Sequence, residues 1–132
     1  MFANNNLCVL NCSFLDVCLV PAFPVPIPTP FPNLAFSSTH IPSVFNVIVG
    51  GGLVENLITM GTLSLGDEIG VLLGLISHFM DGPDRGFFGS LKTLMGGIFG
   101  TRLTTITGQN GMLPNTVGMS MTPGQVRVIL LS

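Results

Sequence analysis

Short apolar stretches separated by glycine and proline turns predict a chain built from many short β-strands. Residues 1–20 alternate loosely between apolar and polar positions, which indicates one or two strands. Residues 45–49 are rich in β-branched side chains and end at a glycine triplet, so they predict a strand, with residues 57–60 returning as its hairpin partner. Residues 125–131 alternate before ending apolar and give the clearest strand pattern. The whole pattern predicts an all-β fold.

The glycine turn occurs in two copies. Residues 46–59 align with residues 92–105 at a constant offset of 46 positions. The identical pairs in this alignment are Gly50 and Gly96, Gly51 and Gly97, Leu57 and Leu103, and Thr59 and Thr105. Because each copy carries one double-glycine turn between apolar stretches, the alignment predicts a duplicated hairpin unit.

The most apolar stretch lies between the two copies. Residues 69–76 (IGVLLGLI) have leucines at helical spacing, but Gly70 and Gly74 weaken a helix. A short helix over residues 69–79 and a glycine-kinked strand both remain open. The run is well short of the roughly 18–20 residues that a membrane-spanning helix needs, so no transmembrane segment is expected. The N-terminus lacks a basic region before its apolar residues, so no cleaved signal peptide is expected either.

Prolines are concentrated in one segment, with six of the ten between Pro21 and Pro32. A proline fixes its own φ, biases the preceding residue toward extended backbone and donates no backbone hydrogen bond. Residues 21–33, called the proline strap below, are therefore predicted to form a stiff extended rod that is neither a helix nor a central strand. Its other residues are mainly apolar. We therefore expect it to cross the faces of the hairpin units as internal scaffolding.

The composition predicts a single domain, residues 1–132, that is partly covered by a partner. The chain is 47% hydrophobic and only 8% charged, far less charged than an ordinary soluble surface. A net charge of −2 gives no polyanion-binding footprint, so nucleic acid is not an expected partner. The cysteines Cys8, Cys12 and Cys18 are odd in number and close together, which is not a disulfide framework and fits a reducing, cytoplasmic origin.

Motifs of catalysis are scarce, so the chain is not expected to be an enzyme. The sequence contains no phosphate-binding loop, glycine-flanked nucleophilic serine or two-histidine zinc helix. Asp67 and Glu68 are adjacent and point apart in extended backbone, which favours a solvated turn over an acid–base pair. Metal binding is the remaining chemical hypothesis. Its donors are the three cysteines with His40 and His78, although the cysteine spacing has no matching second pair and favours buried hydrophobic thiols.

A set of ordered motifs resembles the PAAR-like family of contractile injection systems, in particular the branch marked by Pro-Ile-Pro-Tyr-Pro-Asn. The motifs follow the family order over essentially the whole chain. They are residues 16–21 (DVCLVP), 26–33 (PIPTPFPN), 47–51 (VIVGG) with 56–57, 65–71 (LGDEIGV), 82–83, 94–97 (LMGG) with 101–103, 108–110 (GQN) and 126–130 (VRVIL). The chain departs from the family where Thr29-Pro30-Phe31 follows Pro-Ile-Pro in place of a directly following tyrosine. It also lacks the Pro-Ala that usually follows the double glycine.

The resemblance implies a small conical PAAR-like domain of short strands and glycine-turn hairpins. Such a domain sits on the blunt end of a trimeric VgrG-type spike protein, sharpens it for puncture of the target membrane and recruits effector proteins. The implied localisation is assembly in the bacterial cytoplasm followed by secretion with the injection machine. A small secreted effector or a membrane-active protein carried by such a machine remains the alternative.

With the resemblance, the strap is expected to be internal scaffolding near the spike-facing part of the cone. The resemblance also implies which residues form the spike-docking and structural signature. They are Pro26, Ile27, Pro28, Pro30, Pro32, Asn33, Gly50, Gly51, Gly96 and Gly97. In related PAAR proteins three histidines and one cysteine bind zinc near the apex. This chain has two histidines, so that full ligand set cannot form, and a zinc site would have to draw on Cys18, His40 and His78.

Overall fold

The computed structural model describes residues 1–131 and is built from short β-strands, as the sequence predicted. The strands are β1 (Leu10–Val20), β2 (Ile27–Phe36), β3 (His40–Ile41), β4 (Ile48–Val49), β5 (Gly52–Leu53), β6 (Met60–Gly61), β7 (Asp84–Gly86), β8 (Leu94–Met95), β9 (Ile98–Phe99), β10 (Ile106–Gln109) and β11 (Thr116–Ser120). One 3-10 turn, Ser37–Thr39, joins β2 to β3. Among the described residues no helix is long and apolar enough to cross a membrane.

The main sheet has seven strands in the order β2-β1-β11-β10-β7-β6-β3, and all its strand pairs are antiparallel. Two further hairpins, β4–β5 and β8–β9, lie outside this sheet. The eleven residues of β1 span about 35 Å at roughly 3.3 Å per residue. Leu10 begins β1 near the hairpins, and Val20 ends it at the opposite end of the molecule, which we call the apex.

The proline strap supplies the edge strand β2, in agreement with the prediction that it is extended and not central. Backbone groups alternate sides along a strand. The outward side is marked by Leu34, whose N–H and carbonyl pair with Leu65 on the side away from β1. Pro28, Pro30 and Pro32 share the parity of Leu34, so each missing donor falls on the outer edge and pairing with β1 is undisturbed.

Two expectations about the strap and the apolar run are wrong. The strap pairs with β1 and does not cross the hairpin units, and most of its residues from 21 to 32 are exposed. Residues 69–79 form successive turns with one isolated bridge, Gly74 to Cys18, and contain neither a helix nor a continuous strand. Glycines at 70 and 74 fit this outcome, because each lies where a β-carbon would collide with a neighbouring segment.

Two predicted strands are also corrected. The return strand of the first hairpin is β5, directly after the glycine turn, whereas residues 57–58 form a turn and Met60 begins β6. Residues 125–131 form no ladder and contribute one isolated bridge, at Ile129. In both cases the pattern marked apolar residues correctly, but hydrogen bonds to distant segments, such as Leu57 to Phe99 and Leu130 to Met1, replace the predicted strand pairing.

The interior is largely polar. The sheet and the hairpins enclose many buried asparagine, serine and threonine side chains, together with three buried aspartates, Glu55 and His40. The apolar core is small and lies among the hairpins: Ala3, Val44, Val49, Val54, Met95 and Leu130. Burying a polar group is costly unless it is hydrogen-bonded, and most of these side chains are, although a few of their atoms, such as Asn4 Oδ1 and Gln109 Oε1, have no partner. The fold is therefore organised by polar networks as much as by apolar packing.

Candidate docking face and buried polar clusters

The duplicated hairpin predicted from the sequence is present with the same register in both copies. In the first, Ile48 pairs with Leu53 and Val49 with Gly52. In the second, Leu94 pairs with Phe99 and Met95 with Ile98, each position 46 residues later. Both residues of each double glycine have positive φ, 62° and 91° in the first copy and 67° and 86° in the second. This is the conformation of a type I′ hairpin turn, which glycine adopts without strain.

The two ends of the chain form a third antiparallel pair with the same register as the two hairpins. Phe2 bridges to Ile129, as Leu53 does to Ile48. The N–H of Leu130 donates to the carbonyl of Met1 at 2.7 Å, and the amino group of Met1 donates to the carbonyl of Leu130 at 2.8 Å. Unit 1 is thus residues 44–59, unit 2 is residues 90–105, and unit 3 joins residues 125–131 to residues 1–8.

A closed ring of backbone hydrogen bonds relates the three units. The N–H of Asn4 donates to Thr101 (3.1 Å), that of Thr101 to Glu55 (3.0 Å) and that of Glu55 to Asn4 (3.3 Å). A second ring links the same units in the opposite sense, with Leu57, Leu103 and Asn6 donating to the carbonyls of Phe99, Phe2 and Leu53. Within each ring, every unit donates to one neighbouring unit and accepts from the other. The arrangement is therefore pseudo-threefold.

Side chains follow the same symmetry inside the ring. Val49, Met95 and Leu130 occupy equivalent positions and are all buried in the apolar core. Asn5 and Asn56 are also equivalent: the amide Nδ2 of each donates to the hairpin carbonyl of the next unit, Val49 at 2.8 Å and Met95 at 2.9 Å. Each unit therefore contributes one of these equivalent apolar side chains to the core at this end of the molecule.

Equivalent residues also produce two rings of exposed apolar side chains. One ring contains Phe45, Leu91 and Val126, which are 72%, 75% and 68% exposed. The other contains Ile48, Leu94 and Ile129, which are 69%, 60% and 55% exposed. Large apolar side chains exposed at equivalent positions of all three units make this end of the molecule a candidate interaction surface. We call these six residues the docking face.

A buried ionic cluster lies directly above the hairpin units. His40 Nδ1 is 2.7 Å from Glu55 Oε1, His40 Nε2 is 3.4 Å from Asp84 Oδ1, and Asn11 donates to the other oxygen of Asp84 at 3.0 Å. Burial opposes the charged imidazolium, but the carboxylates of Asp84 and Glu55 outweigh it and raise the pKa of His40 to about 10. The protonated His40 on β3 therefore connects Asp84 on β7 with Glu55 in unit 1.

A second cluster lies at the apex around Cys18. Its thiol is 3.4 Å from Asp67 Oδ2 and 3.7 Å from Asp16 Oδ1. The amides of Asn33 and Asn110 donate to Asp16 and Asp67, at 2.6 Å each. All five residues are buried. Burial, followed by the two carboxylates, raises the pKa of the Cys18 thiol.

The predicted zinc ligands Cys18, His40 and His78 do not converge. Within the described residues the one group of three donor atoms within 4.8 Å of one another is Asp16, Cys18 and Asp67, which includes no histidine. His40 is engaged by Glu55 and Asp84, and His78 is exposed at the apex. Cys8 is exposed and Cys12 is buried in β1, so neither joins the apex cluster.

The signature residues divide between the two ends of the molecule. Gly50, Gly51, Gly96 and Gly97 form the hairpin turns of units 1 and 2. Pro26 precedes β2, and the other strap residues, Ile27, Pro28, Pro30, Pro32 and Asn33, lie on β2 beside β1. Asn33 reaches the apex cluster through Asp16. Their assignment to spike docking stays a prediction.

Sequence reasoning missed unit 3, the ionic cluster and the apex network. The residues of the apex network lie in separate motifs, and the sequence does not predict that they converge: Asp16, Cys18, Asn33, Asp67 and Asn110. The available signal was the presence of acids and amides within these motifs in a chain with so few charges, which could have indicated buried polar clusters. Unit 3 had a weaker one, because Val126 and Leu130 match the apolar positions of the other units but are separated from residues 1–8 by the whole chain.

Comparison with known proteins identifies the family. The family model described as the toxin PAAR-like domain matches residues 9–118. Comparisons with curated proteins and with solved structures gave no significant match. The matched region covers most of the sequence and contains the strap, the glycine hairpins and both buried clusters. The chain therefore belongs to the toxin PAAR-like domain family.

Proposed function

We propose that this protein is the non-enzymatic tip of a contractile injection spike and that its docking face caps the blunt end of a trimeric VgrG-type spike protein. Membership of the PAAR-like family associates the chain with such spike machinery. The observation that carries the proposal is the pseudo-threefold ring of units 1, 2 and 3. A single chain with three equivalent apolar contacts can meet one subunit of a trimer with each of them.

The chemistry of the docking face suits a stable contact. Its six residues are aliphatic or aromatic, so their burial is favourable by about 25 cal/mol per Å² of apolar surface removed from water. The equivalent positions Asn46, Lys92 and Arg127 are exposed and lie in sequence between the residues of the two rings. Protein interfaces typically combine apolar contacts with such polar groups.

The glycine and proline signature has a structural part in this proposal. The double glycines at 50–51 and 96–97 turn the hairpins that present Ile48 and Leu94. The strap prolines keep the outer edge of β2 from pairing with another chain, which protects a protein that is exposed during assembly and secretion. The proposal places assembly in the bacterial cytoplasm and secretion with the machine.

The apex suits contact with a target membrane. Residues 69–80 contain no aspartate, glutamate, lysine or arginine, and many of their apolar side chains are exposed, including Val71, Leu75 and Ile76. The backbone N–H groups of residues 72–79 are all bonded within the protein, mostly to backbone carbonyls and otherwise to Asn115 and Ser77. A loop with satisfied donors can enter a lipid interface without the cost of unpaired polar groups.

The first experiment measures docking. The protein is co-expressed with its cognate spike trimer, and the complex is isolated by size exclusion. The variants Ile48→Glu and Leu94→Glu should abolish the complex while leaving the folded state intact, because each places a charge on an exposed apolar ring. The matched control Leu113→Glu, 75% exposed near the apex, should dock normally. Equal docking by all variants would exclude this face.

The alternative function, a membrane-active protein, draws on the same apex loop. Vesicle leakage caused by the isolated chain, without spike protein, would favour it. If the protein is a spike tip, vesicle leakage is expected only from the assembled spike. Recruitment of effector proteins is a further part of the proposal and is supported by family membership alone.

A further inference from the structure

We infer that the apex is closed by the thiol proton of Cys18, shared between Asp16 and Asp67, and that it needs no metal ion. The inference concerns the apex and is independent of the proposed docking. A metal-free apex differs from the zinc site that the resemblance implies, and the donors and acceptors of this chain support it.

The carboxylate oxygens at the apex already have hydrogen-bond donors. Asp16 accepts from the amides of Asn115 and Asn33, one at each oxygen. Asp67 accepts from the amide of Asn110 at Oδ2 and from the backbone N–H of Asp81 at Oδ1, at 3.4 Å. Neither of these two aspartates has a buried oxygen without a partner, whereas Oδ1 of Asn33 and Oδ1 of Asp81, whose carboxyl interacts with Asp67, do.

These donors hold two buried carboxylates in place without a cation. A carboxylate that accepts two or three N–H bonds is stabilised in its charged form. Asn110 is fixed in turn, because its Oδ1 accepts the N–H of Gly82 at 3.0 Å, and Asn115 is fixed by the N–H of Ile76 at 2.7 Å. The amides cannot rotate to offer oxygen to a metal without losing these bonds.

Cys18 occupies the space between the two aspartates. Its Sγ lies 3.4 Å from Asp67 and 3.7 Å from Asp16, within the range of S–H donation to oxygen. Gly70 packs against it so tightly that a β-carbon at that position would collide with the β-carbon of Cys18. The thiol is fully buried between its acceptors.

A zinc ion at this place would conflict with the network. Zinc binds oxygen at about 2.0–2.2 Å and sulfur at about 2.3 Å, and it takes four ligands. Three donor atoms meet here, and the asparagine N–H groups point at the oxygens that would have to bind the metal. No histidine joins the group within the described residues.

The test combines metal analysis with a matched pair of variants. We expect the purified full-length protein to contain less than about a tenth of an equivalent of zinc. Its unfolding temperature should be unchanged by a strong chelator, and titration with Co²⁺ should produce no sulfur-to-cobalt absorption band. The variant Cys18→Ser should keep most of the unfolding temperature, because a hydroxyl also donates between the aspartates, whereas Cys18→Ala should lower it markedly.

Near-stoichiometric zinc, with a chelator-sensitive unfolding temperature and a cobalt band lost in Cys18→Ser, would overturn the inference. A Cys18→Ser variant as unstable as Cys18→Ala would also count against the shared proton. If Cys18→Ala does not fold, the chelator and cobalt measurements on the unmodified protein decide the question. Docking on the spike trimer is measured separately, so failure of either proposal is distinguishable from failure of the other.

Discussion

The backbone N–H of Thr101 donates to the carbonyl oxygen of Glu55 at 3.0 Å, although the two residues occupy the same position in two copies of one repeat. Equivalent residues of a tandem repeat usually lie side by side. Here they face each other around an axis, and Asn4 from the opposite end of the sequence completes the ring. The two copies of the hairpin are therefore two of the three units of a pseudo-threefold ring, which we call the base of the molecule.

This base predicts the stoichiometry of the complex. One chain should bind one spike trimer, because units 1, 2 and 3 together occupy all three subunits. Light scattering after size exclusion should show the mass of the trimer increased by one chain, 13.9 kDa. Three chains on one trimer would contradict the prediction, since each unit would then act alone.

The two glycines of one hairpin should differ in their tolerance of alanine. A β-carbon at Gly96 would lie 2.7 Å from Val44 Cγ2 in unit 1, whereas at Gly97 nothing lies within 4 Å. Both positions have positive φ, so each alanine costs about 1–2 kcal/mol of conformational strain. Gly96→Ala should cost about 1–3 kcal/mol more, from overpacking. Chemical denaturation measures both, and equal losses would show that unit 1 does not pack on this turn.

Stability should fall as pH rises above neutrality because of His40. Its folded pKa, about 10, lies above the unfolded value of 6.5, so its contribution is complete below pH 6.5 and is lost as the pH approaches 10. One proton gives a slope of about 1.4 kcal/mol per pH unit. Denaturation between pH 6.5 and 9 should show this slope, and His40→Gln should remove it. The same slope in the variant would assign the effect to another group.

The strap prolines should prevent self-association. The double variant Pro28→Thr, Pro30→Thr adds two backbone N–H groups to the exposed outer edge of β2 and keeps the pairing of β2 with β1. The double variant should therefore fold but form dimers or larger species at concentrations where the unmodified chain stays monomeric, as measured by light scattering. Pro26→Ser, which lies before β2, is the control. A monomeric double variant would show that the edge is protected in another way.

The duplication illustrates what could be predicted. Gly50-Gly51 and Gly96-Gly97 mark their turns locally, because only glycine adopts positive φ readily at two successive positions, and so both hairpins were visible in the sequence. Their return strands were not, because the turn is tight and the partner of Ile48 is Leu53 rather than a residue from 57–60. Residues 69–79 have apolar side chains at helical spacing, but turns at and around Gly70 and Gly74 determine their path instead of a helix.

The sequence by itself determined the all-β class, the two glycine hairpins, the extended strap and the family, since each rests on local backbone preferences or on ordered motifs. The tertiary structure alone decided that Met1 and Leu130, 129 positions apart, close a third unit. It also decided that Asp16, Cys18 and Asp67 meet at the apex. Backbone hydrogen bonds between distant segments depend on how the chain returns to itself, and no local pattern of side chains records that path.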